Sequence, residues 1–409
     1  MLKSIGLLAT LRAALVSFTL MAVIPDHSWA VDTATFTPLH QFDSPTDGAF
    51  PQGALLRDAA GNLYGTTTSG GGGDGTIFKI DSTGRETVLF DFTNFVSGSS
   101  PASALIQDQS GNLYGIADQG PGGAGVVFKL SPDGEQTLLH SFQGGFNLKP
   151  KAPTGGILMD ESGNIFGTTL FGGNGLPQFH CSQFGCGTVF QLDPAGKLHV
   201  LHKFTGLDGT QPFGPLVQDR DGNLYGVSEF GGDRSCPDPR FEGVGCGTVF
   251  RLSKTRELTV LHTFRGGPDG SSPQPGLLLD SAGSLYGTTF QGGKSERGIV
   301  FKISKKGRYT TLHRFTQKEG KNPNGGLVSD PAGNLYGSAE LGGAHDQGSV
   351  FQLTPDGGLN VLHSFRGLKD GAGPFAGLIR DETGRLFGTT VRNFLIQPIQ
   401  GGNVFEITP

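Results

Sequence analysis

Short apolar runs alternate along the chain with turns of Gly, Asp, Ser and Pro, and the pattern is clearest between residues 276 and 315. Four apolar and β-branched runs follow one another there, at residues 276–280, 285–289, 299–303 and 309–315. Runs of this length, bounded by turn residues, predict β-strands, which we name A to D in chain order. Outside the N-terminal segment, no window keeps apolar residues at helical spacing.

The same unit recurs along the whole chain. The motif D-x-x-G-x-[LI]-[YF]-G ends at Gly65, Gly115, Gly167, Gly226, Gly287, Gly337 and Gly388. A repeat of about 50 residues with four short strands is typical of a β-propeller, because one blade cannot bury both of its faces alone. The sequence therefore predicts an all-β, seven-bladed β-propeller with four-stranded blades, strand A lying innermost.

The two ends of the chain complement each other. Residues 36–42 match the L-H-x-F pattern of a D strand, whereas the last repeat supplies only A, B and C strands, at residues 377–380, 386–390 and 404–407. We expect the N-terminal strand to complete the last blade and to close the ring through hydrogen bonds.

Residues 1–30 have the features of a secretory signal peptide. Lys3 and Arg12 give a positive start, an apolar stretch follows, and Ser28-Trp29-Ala30 forms a small-x-small cleavage site. An uncleaved anchor is the alternative, although the apolar stretch is short for a spanning helix. We predict a mature chain that begins at Val31, forms one propeller domain over residues 31–409 and contains no tryptophan.

Charge and localisation narrow the class of partner. The net charge of −5 becomes −6 once Lys3, Arg12 and Asp26 leave with the signal, and no basic run is present. Nucleic acid and anionic membrane are therefore poor partners. No apolar tail precedes Pro409. We therefore expect a secreted, periplasmic or extracellular monomer that has no membrane contact after the signal peptide is cleaved.

All four cysteines lie in two insertions between strands B and C. An even number of cysteines in an exported chain favours disulfides. We predict the local pairs Cys181–Cys186 and Cys236–Cys246. A zinc site is the alternative, although the spacings fit the usual zinc patterns badly.

Two recurrent residue types resemble metal arrays but have structural interpretations. The motif Asp starts a tight turn, where its carboxylate bonds the backbone and the following Gly supplies a positive φ. The histidines of L-H-x-F (His40, His140, His202, His262, His313 and His363) lie on the outer D strands, so we expect packing or surface roles. The string Gly70-x-Gly72-x-x-Gly75 joins two strands rather than opening a helix, which excludes a dinucleotide site.

The candidate site lies where the loops vary. The B–C and D–A connections vary in length and share one face of a propeller, and function concentrates on such loops. The third residue after the Y-G pair is acidic in alternate blades, at Asp118, Glu229 and Glu340, and it is Phe290 in blade 5. The acids could bind calcium or a polyhydroxyl ligand, with Phe290 as a stacking surface. Solvated loop ends are the alternative.

Three motifs recur together: G-N-L-Y-G-T-T, G-G-x-x-x-x-G-T-V-F-K-L and L-H-x-F, best seen at residues 163–204, 222–264 and 283–315. In this combination the chain resembles the GloVer (Gloeo/Verruco) tandem-repeat family of exported bacterial proteins. The resemblance implies export and a propeller-like array without an established activity. The D-x-x-G-N-L-Y segment also resembles blades of gluconolactonase-type and NHL propellers, but no motif matches the lactonase metal ligands, so no catalytic residue is carried over.

Two functions remain open from the sequence. The first is an exported, non-catalytic protein that binds a carbohydrate or a protein through the loop-rich face. The second is a propeller-type enzyme, a lactonase or polysaccharide lyase, that uses the acids with a divalent cation. Because we find no His, Arg or Lys that breaks the repeat at the mouth, binding is favoured.

Overall fold

Seven antiparallel sheets follow one another along the chain in the computed structural model, which describes residues 34–42, 46–145, 148–173, 181, 184–236, 243–367, 369–391 and 401–409. The predicted signal peptide, residues 1–30, lies outside the described residues. Each sheet is one blade of a ring, so the prediction of a seven-bladed β-propeller is confirmed. No helix within the described segments is long and apolar enough to cross a membrane.

The first two blades contain four strands each. Blade 1 consists of β2 (Leu56–Arg57), β3 (Leu63–Thr67), β4 (Thr76–Ile80) and β5 (Glu86–Asp91). Blade 2 consists of β6 (Ile106–Gln107), β7 (Leu113–Ala117), β8 (Gly123–Leu130) and β9 (Gln136–Gln143).

Blades 3 to 5 have an additional short strand, because the D–A connection pairs with the end of strand B before strand A begins. Blade 3 consists of β10 (Lys151–Pro153), β11 (Leu158–Met159), β12 (Ile165–Phe171), β13 (Thr188–Leu192) and β14 (Leu198–Lys203). Blade 4 consists of β15 (Thr210–Pro212), β16 (Val217–Gln218), β17 (Leu224–Phe230), β18 (Thr248–Leu252) and β19 (Leu258–Thr263). Blade 5 consists of β20 (Ser271–Pro273), β21 (Leu278–Leu279), β22 (Leu285–Gln291), β23 (Ile299–Ile303) and β24 (Tyr309–Arg314).

In blade 6 the additional strand and strand A are continuous. Blade 6 consists of β25 (Lys321–Ser329), β26 (Leu335–Leu341), β27 (Ser349–Leu353) and β28 (Leu359–Ser364). A short 3₁₀ helix, Gly267–Asp269, lies in the connection from blade 4 to blade 5.

Blade 7 joins the two ends of the chain. Its A, B and C strands are β29 (Ile379–Arg380), β30 (Leu386–Thr390) and β31 (Asn403–Thr408), and its D strand is β1 (Thr35–Gln41). The two terminal strands pair antiparallel, from Thr35 opposite Thr408 to Gln41 opposite Asn403. The predicted non-covalent closure of the ring is therefore confirmed.

A pair of phenylalanines fills every junction between blades. The Phe at the end of each D strand meets the Phe of the next blade's C strand edge to face, with ring centroids 5.0 to 5.6 Å apart. The pairs are Phe42–Phe78, Phe92–Phe128, Phe142–Phe190, Phe204–Phe250, Phe264–Phe301, Phe315–Phe351 and Phe365–Phe405. Every ring is at most 2% exposed, and such pairs add about 0.5–1.5 kcal/mol beyond the area they bury.

The Gly of the Y-G pair makes room for these rings. In every blade a Cβ on this Gly would lie less than 3.0 Å from the ring of the same blade's C-strand Phe. In blade 4, a Cβ on Gly226 would lie 2.6 Å from Cζ of Phe250 and 2.7 Å from Cδ2 of Leu216. The repeated Gly is thus required for space across the sheet.

We expect Gly226→Ala to lower the free energy of unfolding by about 1–3 kcal/mol, because the buried Phe250 ring has no room to move away. Chemical denaturation with an unchanged m-value measures the loss. The double variant Gly226→Ala with Phe250→Leu should lose less than the sum of the two single variants, since the smaller side chain removes the clash. Strict additivity would show that the Gly serves another purpose.

The D-strand residue that pairs with the last Ile of strand C faces the preceding blade in blades 5 and 7. Tyr309 stacks on His262 with ring centroids 3.7 Å apart, and Phe36 stacks on His363 at 4.2 Å. Glu86 holds the equivalent register position in blade 1. The junction that closes the ring therefore has a carboxylate where two other junctions have an aromatic ring.

Glu86 is poorly accommodated at this junction. Its Oε1 atom is buried and has no hydrogen-bond partner among the described residues. Burial, followed by repulsion from Asp47 of the connection leading into blade 1, raises the pKa of Glu86 to about 7. Between about pH 4.3, the ordinary pKa of a glutamate, and about pH 7, Glu86 is therefore protonated in the folded protein and ionised in the unfolded chain.

We expect stability to fall as the pH rises from about 4.5 to about 7, because ionising Glu86 costs more in the folded protein than in the unfolded chain. Glu86→Gln should reduce this loss, whereas Glu257→Gln, an exposed glutamate after another C strand, should leave it unchanged. Melting temperatures across this pH range measure the effect. An identical pH profile in Glu86→Gln would show that the group titrates normally.

Candidate functional site

The D–A connections bend sharply where they enter strand A. Each ends in a residue followed by Pro, and that residue has a left-handed conformation in all seven blades, with φ between 50° and 63°. The residues are Phe50, Ser100, Ala152, Gln211, Ser272, Asn322 and Gly373, which we call the bend residues. Six of the seven are not glycine, and a positive φ before Pro is an unfavourable backbone conformation.

Contacts with the preceding blade hold the bend residues in place. The N–H of Gln211 donates to the carbonyl of Cys186 at 2.8 Å, and the N–H of Ser272 donates to that of Cys246 at 2.9 Å. Both acceptors belong to disulfides, Cys181–Cys186 and Cys236–Cys246. The predicted pairing is therefore confirmed, and the two disulfides anchor the B–C loops that support these bends.

A cavity of about 420 Å³ lies on the axis of the ring, and all seven blades contribute to its wall. Its lining comes from the residues between the recurrent Pro and the first apolar residue of strand A. The A segments of neighbouring blades pack closely around the axis: a Cβ on Gly276 of blade 5 would lie 2.6 Å from Cα of Gly326 in blade 6. The lining residues directly follow the D–A connections, so the cavity lies towards the loop-rich face.

One residue position determines the chemistry of the cavity. The residue after the recurrent Pro differs from blade to blade, and in chain order it is Gln52, Ala102, Thr154, Phe213, Gln274, Asn324 and Phe375. All of these except Thr154 line the cavity. The lining therefore combines two aromatic rings and three amides with leucines, prolines and small residues, and none of its described side chains titrates. We call the seven positions the axial ring.

The four site residues predicted from the sequence lie just outside the axial ring. Glu229 of blade 4 shares a hydrogen bond with Ser272, the bend residue of blade 5. The carbonyl oxygen of Phe290 accepts a hydrogen bond from Nδ2 of Asn322 at 2.9 Å. These two residues thus contact the bend residue of the next blade.

Glu340 and Asp118 also lie beside bend residues, Glu340 beside that of the next blade and Asp118 beside that of its own blade. The side chain of Glu340 lies next to Gly373, the bend residue of blade 7. The N–H of Asp118 donates to the carbonyl of Ser100 within blade 2 at 3.4 Å. None of the four predicted residues is part of the cavity lining that the structure describes.

The surroundings of two of these acids favour protonation. Asp118 is accessible to solvent, but the protein atoms around it displace bulk water and raise its pKa to about 6. Burial also raises the pKa of Glu229, and the hydrogen bond from Ser272 opposes this effect. The acids are nevertheless separated: within the described segments, no three His, Cys, Asp or Glu side chains are grouped to hold one metal ion.

The motif Asp is structural, as the sequence predicted. Oδ1 of Asp58 accepts from the N–H groups of Ala60 and Asn62, and Oδ2 accepts from Nδ2 of Asn62 at 2.7 Å and from the hydroxyl of Tyr64 at 3.0 Å. Burial alone would raise the pKa of Asp58, but these hydrogen bonds together hold it below its usual range. The D-x-x-G-N-L-Y motif is thus one hydrogen-bonded turn.

The L-H-x-F histidines form pairs with acids of their own D–A connections. The five described pairs are His40–Asp47, His202–Asp208, His262–Asp269, His313–Glu319 and His363–Asp370, with N–O distances of 2.8 to 3.3 Å. Burial lowers the pKa of His140, whose connection contains no acid. The histidines therefore fasten the connections to the blades, in agreement with the structural interpretation.

Comparisons with known proteins agree with the repeat architecture. A family model described as the Gloeobacter/Verrucomicrobia repeat matches residues 27–176 and 240–409. No curated protein sequence matches the chain.

Solved structures share the fold at low sequence identity. Two are extracellular domains of proteins described as hybrid two component systems from B. thetaiotaomicron, each 13% identical, with TM-scores of 0.56 and 0.55. Both alignments cover 92% of this chain and 41% and 42% of those chains, so the chain spans about two fifths of their length. A structure described as a 6-phosphogluconolactonase from Bacteroides uniformis is 17% identical over 76% of this chain and 83% of its own, with a TM-score of 0.47.

The calcium site remains a prediction. If Asp118, Glu229 and Glu340 bind calcium together, calcium should raise the melting temperature by mass action. The triple change Asp118→Asn, Glu229→Gln and Glu340→Gln should abolish the rise and leave the fold intact. Thermal unfolding with and without millimolar calcium compares the two proteins. An equal response in both would show that the acids are not ligands.

Proposed function

The chain belongs to the Gloeobacter/Verrucomicrobia repeat family, and on that premise we propose that it is an exported, non-catalytic protein that binds a carbohydrate at its loop-rich face. The observation that carries the proposal is the axial cavity. Its volume lies within the range of small-molecule sites, and its wall combines apolar and aromatic side chains with a few polar groups, as such sites usually do.

The chemistry of the lining favours binding over catalysis. General acid–base catalysis needs a titratable side chain within hydrogen-bond reach of the reacting atom. The described lining contains amides, aromatic rings, leucines, prolines and small residues, but no acid, base or nucleophilic thiol. A lactonase or lyase would therefore have to use groups outside the cavity, whereas a binding protein needs no such groups.

The disulfides and the N-terminal sequence support the proposal that the protein is exported. Disulfides persist in oxidising compartments, and both insertions form one. The residues that precede the propeller also have the features of a signal peptide. Together these observations support a secreted or extracellular location.

A protein partner on the same face is the second candidate. The described large hydrophobic residues that are exposed all lie in or directly after D–A connections: Phe95, Val96, Leu148, Leu207 and Phe375. Exposed apolar side chains grouped on one face favour contact with another protein. Of these five, only Phe375 belongs to the axial ring, so the two candidates predict different sensitive residues.

We expect the mature protein to bind neutral glycans on an array, and Phe375→Ala to raise the Kd of the strongest one at least about tenfold, equivalent to ~1.4 kcal/mol. Phe95→Ala, an exposed Phe on the same face but outside the cavity, is the matched control and should leave the Kd unchanged. Isothermal titration measures both variants.

Two results would count against this function. Absence of any glycan binding would reject it. Binding to a protein that depends on Phe95 and Leu207, but not on Phe375, would favour the second candidate.

A further inference from the structure

We propose that the axial cavity binds one uncharged sugar ring, which lies between Phe213 and Phe375 and forms hydrogen bonds with Gln274 and Asn324. The inference rests on the proposed carbohydrate function and specifies its ligand class and contacts. It follows from the way in which neighbouring protein groups orient the two buried amides.

Gln274 presents a hydrogen-bond acceptor to the cavity. The residue is only 6% exposed, and its Nε2 donates to the carbonyl oxygen of Ser272 at 2.9 Å and approaches the Ser272 hydroxyl at 3.3 Å. A carbonyl oxygen can only accept, so the NH₂ group must face Ser272. Oε1 is left without a protein partner among the described residues, in a side chain that lines the cavity. It therefore needs a donor from whatever occupies the cavity.

Asn324 presents the opposite group. It is 5% exposed, and its Oδ1 accepts the N–H of Gly325 at 3.0 Å. A backbone N–H can only donate, so the amide oxygen must face it, and Nδ2 is left without a protein partner in the described part of the chain. Because Asn324 also lines the cavity, this nitrogen can donate to a ligand.

The two amides together select a hydroxyl-bearing ligand. Blade 5 supplies an acceptor, and the adjacent blade 6 supplies a donor. A hydroxyl group both donates and accepts, so neighbouring hydroxyls of a sugar satisfy both amides. An anion could accept from Asn324 but would leave Gln274 unsatisfied. Moreover, a charge buried against a lining with no described counter-charge would be costly.

The aromatic positions complete the site. Phe213 and Phe375 follow the recurrent Pro in blades 4 and 7, so they flank the two blades that carry the amides. Phe375 is 37% exposed, which leaves part of its ring open for contact. An apolar wall on both sides suits the C–H faces of a sugar ring, while the hydroxyls at its edge meet the amides.

Tryptophan fluorescence tests the proposal directly, because the mature chain beginning at Val31 has no tryptophan of its own. Phe375→Trp places a reporter in the cavity wall, and Phe95→Trp places one on the same face outside it. The probes are the neutral disaccharides maltose, cellobiose, lactose, mannobiose, xylobiose and N,N′-diacetylchitobiose, with cellobiouronic and digalacturonic acids as charged counterparts. At least one neutral sugar should shift the emission of Phe375→Trp but not that of Phe95→Trp, and neither acid should do so.

The contacts are tested by Asn324→Asp on the Phe375→Trp background. The change keeps the size of the side chain and the acceptor for Gly325 but removes the donor, so Kd should rise at least tenfold. Asn94→Asp, an exposed Asn of a D–A connection, should have no effect, and melting temperatures verify that both variants fold. The proposal is overturned if no sugar shifts the Phe375→Trp emission, if the acids shift it equally, or if Asn324→Asp binds normally. Array binding that is insensitive to Phe375→Ala would reject the axial cavity as the site but keep glycan binding as the function, whereas no array binding would reject both.

Discussion

The packing of one phenylalanine across one glycine organises the whole ring. The C-strand Phe lies over the Gly of the Y-G pair in its own blade and receives the edge of the D-strand Phe from the preceding blade. The same contact occurs at all seven junctions, including the closing one, where Phe42 meets Phe78. Since each blade leaves a sheet face to be covered, these junctions provide the burial that a single blade lacks.

The cavity is a consequence of that ring rather than of any single blade. The junctions bring the A segments close together around the axis, and the left-handed bend before each Pro directs the following residue to the wall. The repeat thus builds a constant scaffold, while the axial ring changes from blade to blade. The proposed binding site uses the axial ring, whose side chains differ between the seven repeats, as Phe213, Gln274 and Asn324 illustrate.

The blades, the closure by β1 and both disulfides could be predicted from the sequence, because repeated apolar runs and local cysteine spacing are short-range signals. It also identified Glu229, which interacts with Ser272, while the role of Glu229 as a ligand stays a prediction. The sequence did not reveal the axial ring. The bend residues, such as Ser272 and Asn322, precede Pro, and a residue before Pro normally has an extended backbone. Only the contacts with the preceding blade hold the left-handed bend that directs Gln274 and Asn324 to the axis. A comparison of the seven residues after the recurrent Pro would have been the available signal.

The most direct test of this account is the thermal stability of a chain that lacks residues 31–43. The deletion removes β1 and Phe42, so it breaks the closing junction and leaves the edge of β31 unpaired. The account predicts aggregation or a sharply lowered melting temperature, with recovery when a synthetic peptide of residues 31–43 is added. An unchanged melting curve would contradict it, because the ring would then not depend on its seventh junction.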